Sequence, residues 1–307
     1  MNLDTKWLKD FLALAEIQHF SRAAEARHIT QPAFGRHIRA LEKAVGHSLI
    51  DRSTTPISLT PAGRQFRTIA RNMVAQMEDG LKILSGIEQP LQNPVRIATP
   101  HSLSSPTLLD LIEHINQDQD IHFSIDILRV DMAIESLTQA NCDFFLGFEI
   151  LSLLQPPFQS LCIGHGDFLL VSATDTQGKA VFDPLSQPTP LIRYSADSYS
   201  ARLIEQYQPT LKLLDTYPVF ESSMCQLHKE MAIRKKGIAW IPDAQIQNEL
   251  MTHTLVAIEP QHFRLPYQIR LYRNSAPLRK EAQTLWHLLE QHISDGWQVN
   301  HPWCLQR

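Results

Sequence analysis

Hydrogen-bonding side chains suited to nucleic acid occur between residues 31 and 52. Gln31, Arg36 and Arg39 would project from the polar side of one predicted helix. Such side chains can meet base edges in a DNA groove, and arginine also meets phosphate. Arg52 lies in a loop after that helix, where it can reach the DNA backbone or the minor groove. This pattern predicts double-stranded DNA as a partner.

A second group of polar side chains follows three predicted strands in the C-terminal part of the chain. In open α/β sheets, ligands bind at the carboxyl ends of strands, and helix N-termini favour anions or hydrogen-bonding oxygens. We expect these side chains to face a cleft between two lobes and to bind or sense an effector there. For each serine, the alternative is that its hydroxyl only caps its own helix. The group consists of Thr99, His101, Ser102 and Ser104; of Tyr199 and Ser200, with Ser195 and Ser198; and of Ser222, Ser223 and Met224.

No arrangement of residues in the sequence is typical of an enzyme or of a metal site. The sequence lacks G-x-S-x-G, H-E-x-x-H, Walker A and dinucleotide-binding motifs, and Gly164-His165-Gly166 is too short to count as a phosphate loop. The four cysteines are far apart and form no C-x-x-C, which indicates neither a disulfide framework nor a cysteine-based zinc site. We therefore predict no catalytic residue, no cofactor and no metal.

Three N-terminal helices are predicted to position the residues that could bind DNA. Apolar residues within 7–15 form a helical stripe, and Ser21 is predicted to cap a short second helix. Thr30 is predicted to cap a third helix, which has Pro32 in its first turn and stops at Gly46. A tight turn joins the last two helices, which predicts a helix-turn-helix.

A wing and a long helix are predicted to follow. Residues 49–59 predict two short strands around a loop. Thr60 and Pro61 then open an amphipathic helix, roughly 61–87, whose apolar residues are spaced by three and four. No local partner is predicted for this apolar stripe, so we expect it to pair with its copy in a second subunit. The expected assembly is a homodimer or a homotetramer.

The rest of the chain predicts an α/β body behind a linker at Gln89-Pro90 and Asn93-Pro94. Strand and helix patterns alternate, which favours parallel sheets in two α/β lobes. The predicted strands are 95–98, 123–128, 142–147, 168–173, 191–192, 219–221, 237–241 and 269–272. The predicted domains are 1–62 for DNA binding, 63–92 for the linker helix and 93–307 for effector sensing, with lobe 1 at about 93–164 and 267–296 and lobe 2 at about 165–266.

Charge is distributed unevenly along the 307 residues. Residues 1–72 carry eleven Lys and Arg against six Asp and Glu, although the whole chain has a net charge of −4. A basic N-terminal unit therefore precedes an acidic body, which favours a polyanion as partner of the N-terminal unit. The alternative is that the excess charge consists of solvated arginines on helix surfaces. The longest apolar stretch, 144–154, is too short to span a membrane, and no export signal opens the chain. We expect a cytoplasmic protein with no membrane partner.

Several motifs in the first 63 residues together resemble the LysR-type transcriptional regulators. The motifs are Phe20-Ser21-x-Ala23-Ala24, Gln31-Pro32-Ala33-Phe34-x-Arg36-x-Ile38-x-x-Leu41-Glu42, Gly46-x-x-Leu49-Ile50-x-Arg52 and Leu59-Thr60-x-x-Gly63. The resemblance implies a mixed α/β protein with an N-terminal winged helix-turn-helix and a long dimerising linker helix. It also implies a periplasmic-binding-protein-like effector domain of two α/β lobes.

The resemblance implies DNA-binding roles for Gln31, Pro32, Arg36 and Arg52, and Arg39 is added because it shares the polar helix face. The expected target is a pseudo-palindromic operator, because two subunits would place two recognition helices one or more DNA turns apart. RNA polymerase is a further candidate partner of such a regulator.

The sequence departs from the family pattern at two places. Gly35 stands where the family usually has Ser, which removes a polar contact and costs about 1 kcal/mol of helix propensity relative to Ala. The wing has Ser53-Thr54-Thr55 where a further Arg often follows, so a weaker grip on phosphate is expected.

Residues in both halves resemble the hypochlorite-responsive branch of the family, which senses oxidant through methionine. Met224 is therefore a predicted oxidant sensor, although Ser200 lies where that branch would offer another methionine. A small organic, carboxylate-like effector is the alternative signal. A solute-binding protein is the alternative of a different class, but it leaves the basic helix-turn-helix unexplained. The resembling residues are Trp7-Leu8-x-Asp10-Phe11-Leu12, His101-Ser102-Leu103-Ser104, Ser198-Tyr199, Arg202-Leu203-Ile204 and Ser222-Ser223-Met224.

Overall fold

The computed structural model describes residues 3–84, 94–117, 121–207 and 213–300. Most of the predicted linker around Gln89-Pro90 and the end of the chain after residue 300 therefore lie outside the described residues. The last three positions of the helix predicted at 61–87 also lie outside them.

Three helices open the chain, as the apolar spacing predicts. They are α1 (Thr5–Ile17), α2 (Phe20–Ala26) and α3 (Gln31–Val45). Gly46 ends α3 with φ of 80°, a left-handed conformation that glycine adopts without the steric cost of a Cβ.

The prediction that Ser21 caps α2 is wrong. The helix starts two residues earlier, at Phe20, whose ring packs edge-on against Phe34 at a centroid distance of 6.1 Å. His19 takes the cap position, and its ring accepts a hydrogen bond from the Arg22 amide. Ser21 instead donates its hydroxyl to the Gln31 side chain at 3.0 Å, which ties α2 to the start of α3.

The wing and the long helix follow as predicted. Strands β1 (Ile50–Asp51) and β2 (Ser58–Leu59) pair antiparallel, and α4 runs over Pro61–Leu84. The Thr60 hydroxyl caps α4 by accepting a hydrogen bond from the Gly63 amide at 2.9 Å. The expectation that the α4 stripe has no local partner is wrong at its first member, because Phe66 packs edge-on against the Phe11 ring at 5.4 Å. Further along the stripe, the exposed apolar side chains are Met73, Met77 and Leu81.

The body of the chain alternates strands and helices. Its first part contains β3 (Val95–Thr99), α5 (His101–Ser104), α6 (Thr107–Asn116), β4 (Phe123–Ile127), α7 (Val130–Thr138), β5 (Phe144–Phe148) and β6 (Phe158–Ala173). Its middle part contains β7 (Thr189–Tyr194), α8 (Tyr199–Glu205), β8 (Thr216–Ser222), α9 (Cys225–Ile233) and β9 (Ile238–Pro242). Its last part contains α10 (Gln247–Met251), β10 (Leu255–Ala257), β11 (Arg264–Asn274), α11 (Lys280–Ser294) and β12 (Val299–Asn300).

The sheets are mixed rather than parallel, which corrects the sequence-based prediction. The strand order is β4-β3-β5-β11-β6-β9-β7-β8. The outer strands of each lobe are parallel, but β6 and β11 pair antiparallel along almost the whole length of β11 and pass from one lobe to the other. The strand predicted at 168–173 is the second half of β6, because Gly164 and Gly166 interrupt the apolar pattern of its first half. The two lobes are thus joined by two continuous strands.

One hydrophobic core extends through both lobes, and a smaller core lies beneath α7. In the smaller core, Ala133 and Leu137 of α7 pack with Phe145 of β5 and Tyr272 of β11. Because buried side chains are closely packed, α7 is held firmly on the sheet. The N-terminal helices form a separate core with the first half of α4.

Candidate functional site

Helix α3 presents a polar face to solvent and an apolar face to the N-terminal core. Phe34, Ile38 and Leu41 are fully buried, at the spacing that places them on one side of a helix. The opposite side is exposed and carries four of the five residues that the sequence predicts for DNA contact. These are Gln31, Pro32, Arg36 and Arg39.

A buried carboxylate holds α3 in place against the other two helices. Asp10 of α1 is only 2% exposed, and it forms 2.7 Å contacts with both Arg27 at the end of α2 and His37 of α3. A buried carboxylate needs such partners to offset its loss of hydration. Sequence reasoning missed this role, although an acidic residue inside the apolar stripe of α1 was a signal for it.

Glu42 of α3 fixes the wing. Its carboxylate accepts hydrogen bonds from the amides of Leu49 and Ile50, at 2.9 and 3.2 Å, and from the Arg52 guanidinium at 2.8 Å. Partial burial opposes ionisation, but these hydrogen bonds outweigh it and hold the pKa of Glu42 below its ordinary value. Arg52 also lies over the Phe20 ring, 5.9 Å from its centroid. Arg52 therefore positions the wing on α3, and its side chain remains 45% exposed.

Gly35, which departs from the family pattern, lies on α3 without crowding. A Cβ at Gly35 would meet only the end of the Arg39 side chain, at 3.7 Å. Arg39 donates its Nε to the Gly35 carbonyl at 3.2 Å, so its guanidinium folds back along the helix. Arg36 has no such contact and is exposed.

A cavity of about 260 Å³ lies between the two lobes, at the carboxyl ends of several strands. The structure brings six of the nine predicted effector residues to its wall. They are His101, Ser102, Tyr199, Ser200, Ser223 and Met224.

The other three predicted effector residues do not line this cavity. Thr99 is fully buried at the end of β3. Ser104 donates its hydroxyl to the His101 carbonyl within its own short helix, at 2.8 Å. Ser222 accepts the Met224 amide at 3.1 Å, so its hydroxyl bonds to the start of α9. For Ser104 and Ser222, a local capping role accounts for the hydroxyl.

Sequence reasoning missed the charged residues at the cavity. Arg129 forms ion pairs with Asp131 at 3.2 Å and with Asp197, in the loop between β7 and α8, at 2.9 Å. Arg202 of α8 also lines the cavity, and its guanidinium makes no ion pair within the described part of the chain. Arg129 comes directly after the predicted strand 123–128. Ligands bind at the carboxyl ends of strands in such sheets, so this position was a signal for Arg129 as it was for the serines.

Tyr199 connects the two lobes at the back of the cavity. Its ring stacks on Phe148 of β5 at a centroid distance of 5.6 Å, and its hydroxyl donates to the Glu149 carbonyl. Burial raises the pKa of Tyr199 to about 12, so the hydroxyl stays protonated and remains a donor. A change in the angle between the lobes would have to break or move this contact.

Three side chains at the start of α9 differ in burial and in protonation, and two of them, Met224 and Cys225, line the cavity. Cys225 is buried, and burial raises its pKa to about 12, so this residue is an unreactive thiol. Burial lowers the pKa of His228 to about 4, so the ring is neutral and donates Nε2–H to the Ser222 carbonyl at 3.0 Å. Met224, in contrast, is 42% exposed at the cavity wall. It is therefore accessible from solvent and does not fill the core.

Within the part of the chain that the structure describes, no helix has the length and apolarity of a membrane span, and no group of three His, Cys, Asp or Glu side chains could hold a metal ion.

Two family models divide the chain between them. Residues 5–64 match the helix-turn-helix of bacterial regulatory proteins of the LysR family, and residues 88–294 match the LysR substrate binding domain. The chain belongs to the LysR family. The mixed α/β fold class predicted from the sequence is confirmed.

Relatives of this LysR regulator include proteins of similar length. The HTH-type transcriptional regulator YjiE of Escherichia coli K12 is 35% identical over 291 residues, which cover 94% of this chain and 95% of YjiE. The crystal structure of Vibrio fischeri DarR in complex with DNA has 39% identity and a TM-score of 0.58, covering 94% of this chain and 99% of DarR. Full-length HypT of Salmonella typhimurium, described as a hypochlorite-specific LysR-type regulator, has 31% identity and a TM-score of 0.61, covering 95% and 99%.

This LysR protein is a DNA-binding transcription regulator with an effector-binding domain, and it is not an enzyme. The helix-turn-helix match sets aside the alternative of a solute-binding protein.

Proposed function

We propose that this LysR regulator is a cytoplasmic oligomer that binds a pseudo-palindromic site in double-stranded DNA with α3 in the major groove. The exposed polar face of α3 is the observation that carries the proposal. The exposed apolar stripe on α4 supports a homodimer or homotetramer, because Met73, Met77 and Leu81 lie on a helix that can pair with a second copy. The DNA complex of DarR supports a duplex as the ligand. RNA polymerase is proposed as a further partner.

Substitution Arg36→Ala should weaken operator binding. Arg36 is exposed on α3 and forms no hydrogen bond or ion pair with its side chain among the described residues, so its guanidinium is available to DNA. We expect a loss of about 10- to 100-fold in affinity if it reads a base, because a good bidentate contact is worth about 1–3 kcal/mol. Fluorescence anisotropy on fragments of the regulator's own promoter region would measure this loss.

The control for this measurement is Arg234→Ala, which removes another exposed arginine, at the C-cap of α9. It should leave operator affinity unchanged. If Arg36 contacts phosphate, the loss should be similar on all sequences, and the dependence of affinity on salt should become shallower by about one ion. Equal affinity of Arg36→Ala and wild type at moderate salt would contradict the assigned role.

We further propose that the signal is a small organic anion held in the interlobe cavity. Arg202 supplies a guanidinium without an ion-pair partner in the described residues, and Ser102, Ser200 and Ser223 supply hydroxyls around the same space. An unpaired guanidinium beside hydroxyl donors is suited to a carboxylate. A volume of about 260 Å³ limits the ligand to a small molecule.

Oxidation of Met224 is the second candidate signal, and the exposure of this side chain at the cavity wall favours it. Hypochlorite would transfer its oxygen atom to the thioether sulfur and leave as chloride, which turns an apolar side chain into a polar sulfoxide. The similarity to HypT supports this candidate. Ser200 opposes it, because the same wall carries a hydroxyl where the related branch would offer a second thioether.

One pair of variants separates the two signals. Arg202→Ala should weaken binding of the best ligand from a panel of small carboxylates by about tenfold or more, since hydrogen bonds to charged groups contribute about 1.5–3 kcal/mol. Met224→Leu should leave that binding almost unchanged, but it should abolish any effect of hypochlorite on operator affinity. Intact mass and anisotropy before and after each treatment are the measurements. Sulfoxide formation without a change in operator binding would eliminate the oxidant, and absence of binding by every carboxylate would eliminate the anion.

A further inference from the structure

We infer that α7 transmits the state of the interlobe cavity to the DNA-binding domain of the same subunit through a charged contact at its other end. This inference adds a route of regulation and rests on the proposed function of the cavity. Its geometric basis is that the cavity and the DNA-binding domain both adjoin this one helix.

The first turn of α7 forms part of the cavity wall. Arg129, Val130 and Asp131 all line the cavity. Arg129 holds Asp131 on its own side at 3.2 Å and Asp197 of the other lobe at 2.9 Å. Both pairs are exposed to solvent, so each is weak, and an anion in the cavity can compete with either carboxylate for the guanidinium.

The outer face of α7 borders a solvent-filled gap of about 340 Å³ beside the DNA-binding domain. Asp131 lines this gap as well as the cavity. The α7 residues Ile134, Glu135 and Thr138 continue the same wall. The facing wall consists of Ala15 and Gln18 of α1, Ser58 and Leu59 of the wing, and Arg64 and Arg67 of α4.

Charges on the two walls are complementary. The α4 side offers Arg64 and Arg67, and the α7 side offers Asp131 and Glu135. Arg67 is only 7% exposed, and its Nε has no hydrogen-bond partner in the described part of the chain. Arg71 repels its guanidinium, whereas Glu16 of α1 and Glu135 of α7 attract it. A buried guanidinium is therefore stabilised in part by a carboxylate from the other domain.

Direct hydrogen bonds hold α4 against the effector domain next to this gap. Arg71 donates to the side chain of Asn141, which follows α7 by three residues. Asn72 donates its amide to the Pro277 carbonyl at 2.8 Å. The charged gap is thus one part of a continuous contact between the two domains.

Helix α7 is a rigid link between the cavity and the gap, because its inner face is packed firmly on the sheet. Its inner face is anchored by Ala133 and Leu137 in the smaller core, and nine helical residues extend about 13 Å at 1.5 Å each. A ligand that draws Arg129 away from Asp131 changes the charge and position of the first turn. Because the helix is rigid, that change reaches Glu135 and the α4 arginines one turn further on, and it alters how firmly the wing and α4 are held.

Hydrogen exchange at the amides of residues 58–72 tests the inference on the full chain without any ligand. Glu135→Lys replaces a carboxylate that attracts Arg67 with a further cation, and we expect exchange in this segment to become about tenfold faster through easier local opening. Arg129→Ala acts only at the cavity end, yet it should change exchange in the same segment. Arg193→Ala is the control, because it removes an exposed ion pair with Glu221 that has no contact with α7.

Unchanged exchange at 58–72 in both Glu135→Lys and Arg129→Ala would overturn the inference, as would an equal change in Arg193→Ala. Circular dichroism identifies a variant that fails to fold. In that case Glu135→Gln, which removes the charge without reversing it, should give a smaller increase in the exchange rate at residues 58–72. Operator binding by the same samples separates this test from the proposed function. Failure of wild type to bind DNA would contradict the function, whereas normal DNA binding with unchanged exchange would contradict only the role of α7.

Discussion

Replacing Asp143 by Asn should destabilise the effector domain by about 3–5 kcal/mol, the cost of removing one partner from a buried ion pair. The Asp143 side chain is 3% exposed, and its carboxylate contacts Arg96 at 2.9 Å and Arg279 at 2.6 Å. Asparagine keeps the shape but not the charge, so two guanidinium groups would remain close together without a counter-charge. Arg279 also donates to the carbonyl of Pro94, where the described part of the effector domain begins. Urea unfolding of the full chain, followed by tryptophan fluorescence, would measure the loss.

The same carboxylate predicts how stability depends on pH. Burial opposes ionisation of Asp143, but Arg96 and Arg279 outweigh it and keep its pKa below the ordinary 3.8. A carboxyl whose pKa is lower in the folded state stabilises the fold above the unfolded pKa, and this stabilisation is lost as the pH falls through the folded pKa. The gap in unfolding free energy between wild type and Asp143→Asn should therefore be constant from pH 7 to about 5 and narrow below about 4.

Asp126→Asn is the control for both measurements, because Asp126 is exposed on β4 and should contribute little to stability at any pH. A difference below about 1 kcal/mol between Asp143→Asn and wild type at pH 7 would contradict the stabilising role, since breaking a buried pair costs more than breaking a surface pair. A difference in unfolding free energy between the two proteins that grows toward low pH would contradict the direction of the pKa shift.

The features that the sequence predicts correctly depend on residues close together in the chain. Gly46 ends α3 because the left-handed conformation is a property of one residue, and Thr60 caps α4 through an amide three residues away. The exposed face of α3 follows from a spacing of three and four within one helix. The positions of Gln31, Arg36 and Arg39 on the outside of the N-terminal domain could therefore be predicted without a structure.

The features that the sequence does not predict depend on pairing between distant residues. Glu42 is an ordinary helix glutamate in the sequence, and only the folded chain brings the amides of the wing to its carboxylate. The first half of β6 is hidden because its partner, β11, lies about a hundred residues further along. The Arg129–Asp197 pair exists only because the two lobes meet. Three of the nine predicted effector residues miss the cavity for a different reason, because proximity to a strand end does not determine the direction of a side chain.

Two helix glycines near the N-terminus, Gly35 of α3 and Gly63 of α4, differ in how much room surrounds them in the folded chain. A Cβ at Gly63 would lie 2.0 Å from the Leu49 carbonyl oxygen and 2.9 Å from its carbon. That carbonyl accepts the Thr60 amide at 3.0 Å, and the Leu49 side chain is fully buried, so the backbone has little freedom to retreat. Gly63→Ala should therefore cost about 3 kcal/mol or more, the upper part of the range for overpacking a core, and it should weaken operator binding by separating the wing from α4.

Gly35→Ala is the matched substitution on α3, and the opposite result is expected. The added methyl group meets only the movable end of Arg39, at 3.7 Å, so the gain in helix propensity of about 1 kcal/mol is not offset by a clash. Thermal unfolding by circular dichroism and operator anisotropy on both variants provide the comparison. Equal losses in the two variants would show that helix geometry alone determines tolerance at these positions. A stable, DNA-binding Gly63→Ala would show that α4 can move away from Leu49, so that close approach of these two backbones is not what holds the wing in place.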